Sequence, residues 1–141
     1  MGWENYHLHH FIHKGKINGE PDPEFEMIDE KDVYASDIFK KNDSSIQYEY
    51  DFGDSWMHEI RSLGRMKKGD RFFQVIDGAR AYPPEDCGGI FGYYELVEAF
   101  TDRESPEYEE YVDWLGEDFD PEAFDLEEAN RRLQEALSDL D

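Results

Sequence analysis

Residues 48 to 60 read Tyr-Glu-Tyr-Asp-Phe-Gly-Asp-Ser-Trp-Met-His-Glu-Ile, with one glycine between two aromatic segments. Before Gly53, aromatic side chains occupy every second position and polar side chains occupy the positions between them. This is the period of a half-buried strand, and it resumes at Trp56. The segment and its flanks therefore predict a β-hairpin over residues 45–63.

The register of this hairpin depends on the length of its loop. A loop of Gly53-Asp54-Ser55 would place Phe52 opposite Trp56 and Tyr50 opposite His58, so that all the aromatic side chains share one face. A two-residue loop would mix acidic side chains into that face. We therefore expect the three-residue loop, with the aromatic face in the core.

Shorter sequence patterns on both sides of the hairpin predict further strands, turns and a helix. Residues 6–13 predict a strand, residues 15–23 are rich in turn formers, and residues 32–41 predict one short helix. A turn at residues 67–70 is followed by a third predicted strand at residues 72–76.

The C-terminal part changes to a helical period. It predicts three helices: one through Tyr93–Phe100, one that begins with Ser105 as its N-cap and ends before Gly116, and one that begins at a capping box of Asp125 and Glu128. The predicted fold is therefore α+β, an antiparallel sheet around the 45–63 hairpin with three C-terminal helices packed on it. The length of 141 residues suits a single domain.

The chain has 14 basic and 36 acidic residues, a formal net charge of −22. Such a charge would repel phosphates, which argues against direct binding to nucleic acid or to an anionic membrane. From Tyr82 to the end there are 20 acidic residues and 3 basic ones. This excess either keeps the protein soluble or forms a surface for a basic partner.

Cys87 is the only cysteine, so no intramolecular disulfide can form. No apolar run is long enough for a membrane span. We therefore expect a cytoplasmic protein without a membrane anchor.

Three motifs resemble the plasmid pRiA4b ORF-3-like family: the hairpin at residues 48–60, the Pro-Pro-Glu-Asp-Cys-Gly-Gly loop at residues 83–89, and Phe-Asp-Pro-Glu-Ala-Phe-Asp at residues 119–125. The opening Gly2-Trp3 is also similar to a segment of that family. The resemblance covers essentially the whole chain and implies one family domain over residues 1–141.

The same resemblance implies two departures. Members usually carry a strand pair and a helix before the Gly-Trp segment, so this chain resembles a member without them, and a homodimer would cover the surface left bare. The family often has a cysteine where this chain has Tyr82, so a paired-thiol site is not supported here. Its members are mostly uncharacterised, and the resolvase-like label of some does not suit so acidic a chain.

The candidate site residues fall in two segments. Asp51, Asp54, Trp56 and His58 belong to the hairpin, and Glu85, Asp86 and Cys87 to the loop. Together they form the predicted pocket.

A divalent metal such as Zn, Mn or Fe would have Asp51, Asp54 and His58 as ligands, with His7 and His9 from a neighbouring strand. The structural alternative is that Asp54 caps the turn and His58 is a hydrogen-bonded histidine packed by Tyr50. For the loop, the alternative is that its acidic residues cap the helix that follows.

Three functions therefore stay open. The first is a binding or interaction module with a strongly acidic surface and no catalytic set. The second is a metal-dependent enzyme that uses Asp51, Asp54 and His58. The third is a DNA mimic that binds a basic nucleic-acid-binding protein.

Overall fold

The protein is described by a computed structural model over residues 2–23, 26–41, 44–64 and 73–138. Within these ranges five strands form one sheet in the order β3-β2-β1-β4-β5, antiparallel except for the β2–β3 pair. The α+β class is confirmed. The elements are β1 (His9–His13), β2 (Lys16–Gly19), β3 (Ile28–Asp29), a 3-10 turn (Glu30–Asp32), α1 (Ala35–Ile38), β4 (Ser45–Tyr50), β5 (Trp56–Arg61), α2 (Gly89–Thr101), α3 (Tyr108–Leu115) and α4 (Leu126–Ser138).

The chain divides into two compact units. The sheet unit is Asn5–Asp70 and holds the strands and α1. The helical unit is Met1–Glu4 with Arg71–Asp141 and holds α2, α3 and α4. The single domain over residues 1–141 stays a prediction.

The predicted hairpin register is wrong by two residues. Tyr50 lies opposite Trp56 and Tyr48 opposite His58, so the connection is the five residues 51–55. An even shift keeps every side chain on its predicted face. Ile46, Tyr50 and Trp56 are accordingly buried in the core of the sheet unit. Phe52, predicted as a strand residue, lies in the turn and is exposed.

The strand predicted at residues 6–13 is present as β1, although it begins only at His9. The turn-rich segment after it also contains β2, which the sequence did not predict. Lys14 and Gly15 connect the two strands with φ values of 52° and 75°. A two-residue hairpin turn requires such positive angles, and lysine at the first position gives little signal of it.

The short helix predicted at residues 32–41 is a single turn, α1, preceded by the 3-10 turn. Asp29 caps that 3-10 turn because its Oδ1 accepts a hydrogen bond from the Lys31 amide at 3.0 Å. Asp29 also ends β3, a two-residue strand that the sequence did not predict.

The third strand, predicted at residues 72–76, is not found at residues 73–76; Phe72 and the turn predicted at 67–70 lie outside the described residues. Side chains of α4 form hydrogen bonds with the backbone of this segment, in place of a neighbouring strand. The Asn130 amide group accepts from the Val75 N–H at 2.8 Å and donates to the Val75 carbonyl at 2.9 Å. Gln134 Nε2 donates to the Phe73 carbonyl at 2.9 Å. The backbone of this segment is therefore hydrogen-bonded by side chains of a helix and not by a neighbouring strand.

All three predicted C-terminal helices are present. α3 begins at Tyr108 and not at Pro106, because Ser105 forms a turn in which its carbonyl accepts from the Tyr108 amide. It ends before Gly116, as predicted. Asp125 Oδ1 accepts from the Glu128 amide at 2.9 Å, which confirms the predicted N-cap of α4.

Candidate functional site

Asp51 organises the turn of the hairpin. Its φ is 59°, so the chain leaves β4 here in the left-handed conformation that aspartate tolerates better than most residues. Its Oδ1 accepts from the amides of Gly53 at 2.9 Å and Asp54 at 3.3 Å, and its carbonyl accepts from the Ser55 amide. The turn is thus capped by Asp51, and a capping role of Asp54 stays a prediction.

The second carboxylate oxygen of Asp51 faces His7. Asp51 Oδ2 lies 3.7 Å from His7 Nδ1, and only 8% of Asp51 is exposed. The His7 ring meets the Tyr50 ring edge-on, with 5.7 Å between centroids. The structure therefore brings together two of the predicted metal ligands, Asp51 and His7, beside the aromatic core.

His58 lies further along β5 and packs on Tyr48, while the expected packing on Tyr50 stays a prediction. Its Nδ1 is 3.3 Å from the Tyr48 carbonyl, and the two rings are 5.6 Å apart. Among the described residues, Asp51, Asp54 and His58 do not form a group with ligand atoms within 4.8 Å of one another. These three residues are not brought into one ligand set.

His9 contributes to a different polar cluster, together with Glu30 and Tyr48. Its Nε2 is 3.2 Å from Glu30 Oε2, and its ring is 5.7 Å from the Tyr48 ring. Burial raises the pKa of the Tyr48 phenol, and the negative charge of Glu30 raises it further. Sequence reasoning missed Glu30, because only the fold brings it to β1.

Glu30 also lines a cavity of about 200 Å³ in the sheet unit. The other walls are mostly apolar and come from β1, β4 and α1; they include Phe11, Ile38, Phe39 and Ile46. Asn18 is the second polar group there, and its Nδ2 donates to the Phe11 carbonyl at 3.2 Å. The cavity is therefore an apolar space with one carboxylate at its wall.

The loop residues Glu85, Asp86 and Cys87 lie in the helical unit. Glu85 Oε2 accepts from the Glu4 amide at 3.0 Å, and Cys87 Sγ is 3.9 Å from the Gly89 carbonyl. Gly88 is the N-cap of α2 and, as a glycine, has no side chain to cap it; capping by acidic residues of the loop stays a prediction. Residues 71–141 contain no histidine that could act as a base for Cys87 within this unit.

Glu85 lines a cleft of about 400 Å³ in the helical unit, which we call the aromatic cleft. Trp3 lies against the same loop, and its Nε1 donates to the Pro83 carbonyl at 2.7 Å. Sequence reasoning had placed Trp3 only in a family segment. The cleft is defined by the aromatic side chains Trp3, Tyr82 and Phe119 and the carboxylates Glu4 and Glu85.

The acidic excess of the helical unit is concentrated around α3. Glu104, Glu107, Glu109, Glu110, Asp113, Glu117 and Asp118 form what we call the acidic surface, and all seven are exposed. In α3 itself, the acidic residues alternate with half-buried Tyr111 and Val112, so the helix presents one face to its unit and the other to solvent.

The matches to known proteins cover both units of the chain. The family model described as plasmid pRiA4b ORF-3-like protein matches residues 1–128. The chain belongs to this family. An uncharacterised protein, y4hQ, from Sinorhizobium fredii is 32% identical over 140 residues, which are 96% of this chain and 72% of the relative.

One solved structure is also similar to this chain. The protein of unknown function MM3350 from Methanosarcina mazei Go1 is 38% identical, and the match covers 92% of this chain and 76% of that one, with a TM-score of 0.77. Neither relative's name states an activity. Of the helices in the described ranges, none has the length and hydropathy of a membrane span.

Proposed function

We propose that this protein is a binding module that presents the acidic surface of its helical unit to a basic protein partner. The observation that carries the proposal is that, among the described residues, no cation pairs with that surface; the neighbouring Arg103 lies over the Tyr108 ring, 6.0 Å from its centroid. Residues 104–130 contain no lysine or arginine. Among the described residues, none of the seven carboxylates of the acidic surface has an ion pair.

The acidic residues of α4 are a useful contrast. Glu128 receives hydrogen bonds from Arg131 and Arg132, which lower its pKa to about 2. Arg131 also pairs with Glu135. Arginines at helical spacing therefore offset the charge of α4, whereas the charge of α3 remains uncompensated.

The negative field of the acidic surface acts on its neighbours. The pKa of Tyr111 on α3 is raised, first by burial and then by the charges of Glu95, Glu110 and Glu107. The part of this rise that comes from the carboxylates is what a negative potential beside α3 produces, because like charges raise the energy of a phenolate. Such a potential attracts basic proteins and speeds their association.

The test compares two triple variants that remove the same charge. Glu109→Gln/Glu110→Gln/Asp113→Asn neutralises the acidic surface. The control, Glu20→Gln/Glu26→Gln/Asp37→Asn, neutralises three exposed acidic residues of the sheet unit. The probe is a lysine-rich peptide, titrated by calorimetry at low ionic strength and again at about 0.15 M.

We expect the α3 triple to bind about tenfold more weakly, from roughly 0.5 kcal/mol for each lost exposed pair, and the control to bind as the wild type does. Binding should weaken as salt is added. Equal losses in both triples would mean that only net charge matters, and the proposal would fail. Absence of binding to the wild type at low ionic strength would also refute it.

A further inference from the structure

The aromatic cleft combines the two chemical features that recognise an organic cation. Its aromatic walls, Trp3, Tyr82 and Phe119, supply ring faces with negative electrostatic potential. Its carboxylates, Glu4 and Glu85, supply formal negative charge. A neutral apolar ligand would use only the first of these features, whereas an organic cation would use both.

One ring of the cleft already holds a cation of the protein itself. The guanidinium of Arg132 lies 5.7 Å from the centroid of the Tyr82 ring, and its Nη1 is 3.1 Å from the Tyr82 hydroxyl. This distance is within the range of a cation–π contact. Arg132 Nε also donates to Glu128 Oε1 at 2.8 Å, so the charge of this cation is shared between the ring and α4.

The walls of the cleft are held by contacts that leave little freedom. Trp3 is fixed to Pro83 by its indole N–H, and Glu85 is fixed by the Glu4 amide. A Cβ at Gly2 would overlap both the Arg132 guanidinium and the Tyr82 ring, so a larger residue here would displace these two side chains. Fixed walls lower the entropic cost of binding a ligand.

The cleft also adjoins the acidic surface in sequence. Leu115 and Phe119 line the cleft, and Glu117 and Asp118, two members of the acidic surface, lie between them in the chain. A basic protein attracted by the acidic surface would therefore bring its cationic side chains to the mouth of this cleft.

We infer that the aromatic cleft binds a lysine side chain of the basic partner; this inference rests on the proposed function. The alkyl stem of lysine packs on Leu115 and Pro84, and its ammonium lies between the ring faces and the carboxylates. Lysine fits better than arginine because its compact charge sits on a slender apolar stem, while one guanidinium, that of Arg132, already lies 5.7 Å from the centroid of the Tyr82 ring.

The test measures binding of the same lysine-rich peptide to Tyr82→Leu, Tyr82→Phe and Tyr94→Leu. Tyr94 is an exposed aromatic residue of α2 that does not line the cleft, so it is the matched control. Tyr82→Phe keeps the ring and loses the hydroxyl. The indole N–H signal of Trp3, assigned with Trp3→Phe, reports by NMR whether the cleft is folded in each variant.

We expect Tyr82→Leu to bind about tenfold more weakly, and Tyr82→Phe and Tyr94→Leu to bind within about twofold of the wild type. Peptide should shift the Trp3 indole signal, and replacement of its lysines by acetyl-lysine should abolish the shift. Glu85→Gln, which keeps an acceptor for the Glu4 amide, should also weaken binding.

The outcomes separate this inference from the proposed function. If the peptide binds Tyr82→Leu as tightly as the wild type and leaves the Trp3 signal unmoved, the lysine site is wrong while the acidic binding surface stands. An arginine-rich peptide that binds more tightly through Tyr82 would overturn the choice of lysine. Absence of peptide binding to the wild type would refute both.

Discussion

Replacing Asp51 with alanine should destabilise the sheet unit by about 3 kcal/mol. Two amides, those of Gly53 and Asp54, lose the carboxylate oxygen that accepts from them, at about 1 kcal/mol each. Alanine must in addition adopt the φ of 59° observed here, which costs about 1 kcal/mol for a residue that cannot hydrogen-bond locally. This is a large part of the 5–15 kcal/mol typical of a whole domain.

Two further substitutions of Asp51 separate these contributions. Asp51→Gly loses the same hydrogen bonds but adopts the positive φ freely, so it should cost about 2 kcal/mol. Asp51→Asn keeps an acceptor oxygen and tolerates the conformation, so it should cost about 1 kcal/mol or less. The order of destabilisation is therefore Ala, then Gly, then Asn.

The assay is urea unfolding followed by the fluorescence of Trp56, which is buried and follows the turn directly. Trp3→Phe and Trp114→Phe in the background leave Trp56 as the only tryptophan. Asp54→Ala is the control. The reasoning is refuted if Asp54→Ala costs as much as Asp51→Ala, or if glycine at position 51 is no better than alanine.

Three further outcomes follow from the described contacts. Asn130→Ala should speed hydrogen exchange of the Val75 amide at least tenfold, because that amide loses its acceptor. Gly92→Ala should destabilise the helical unit by about 2 kcal/mol or more in thermal unfolding, since a Cβ there would overlap the carbonyl of the loop cysteine. Glu30→Gln should lower the pKa of Tyr48 in an ultraviolet titration, because the charge of Glu30 raises it.

Each of these outcomes has a matched control or a contradicting result. Gln134→Ala removes a bond to the Phe73 carbonyl and should leave exchange at Val75 nearly unchanged. Gly64→Ala meets no atom of the described residues within 4 Å and should be nearly neutral. A Tyr48 pKa unchanged by Glu30→Gln would mean that burial alone raises it. Because the folded pKa is raised, Tyr48 should make the protein less stable as the pH rises above about 10.

The buried face of the paired strands could be predicted from the sequence, but the register could not. Alternation determines which side chains lie together, and Ile46, Tyr50 and Trp56 do form the buried face. The length of the loop depends on whether Asp51 continues β4 or leaves it. The left-handed conformation of Asp51 and its hydrogen bonds to two amides decide this. The alternation pattern indicates neither of these features.

Long-range hydrogen bonds explain the strand that was predicted at residues 72–76 and not found at 73–76. The segment is apolar apart from Gln74, as a strand would be, but the backbone groups of Val75 are bonded by Asn130, which lies 55 residues away in the chain. A side-chain amide offers the same donor and acceptor as a neighbouring strand. Nothing local in residues 72–76 distinguishes the two partners.

The candidate sites differ in how far the sequence could predict them. Arg131 and Arg132 stand three and four residues after Glu128, whereas no lysine or arginine stands at either spacing after Glu109 or Glu110. The acidic surface could therefore be located from helical spacing alone. The aromatic cleft could not, because Trp3 lies 80 residues from the Pro83 carbonyl that it bonds. The aromatic residues of such a site are far apart in the sequence, and no single one of them indicates a site. The site can be recognised only in the folded structure, where their rings lie beside carboxylates.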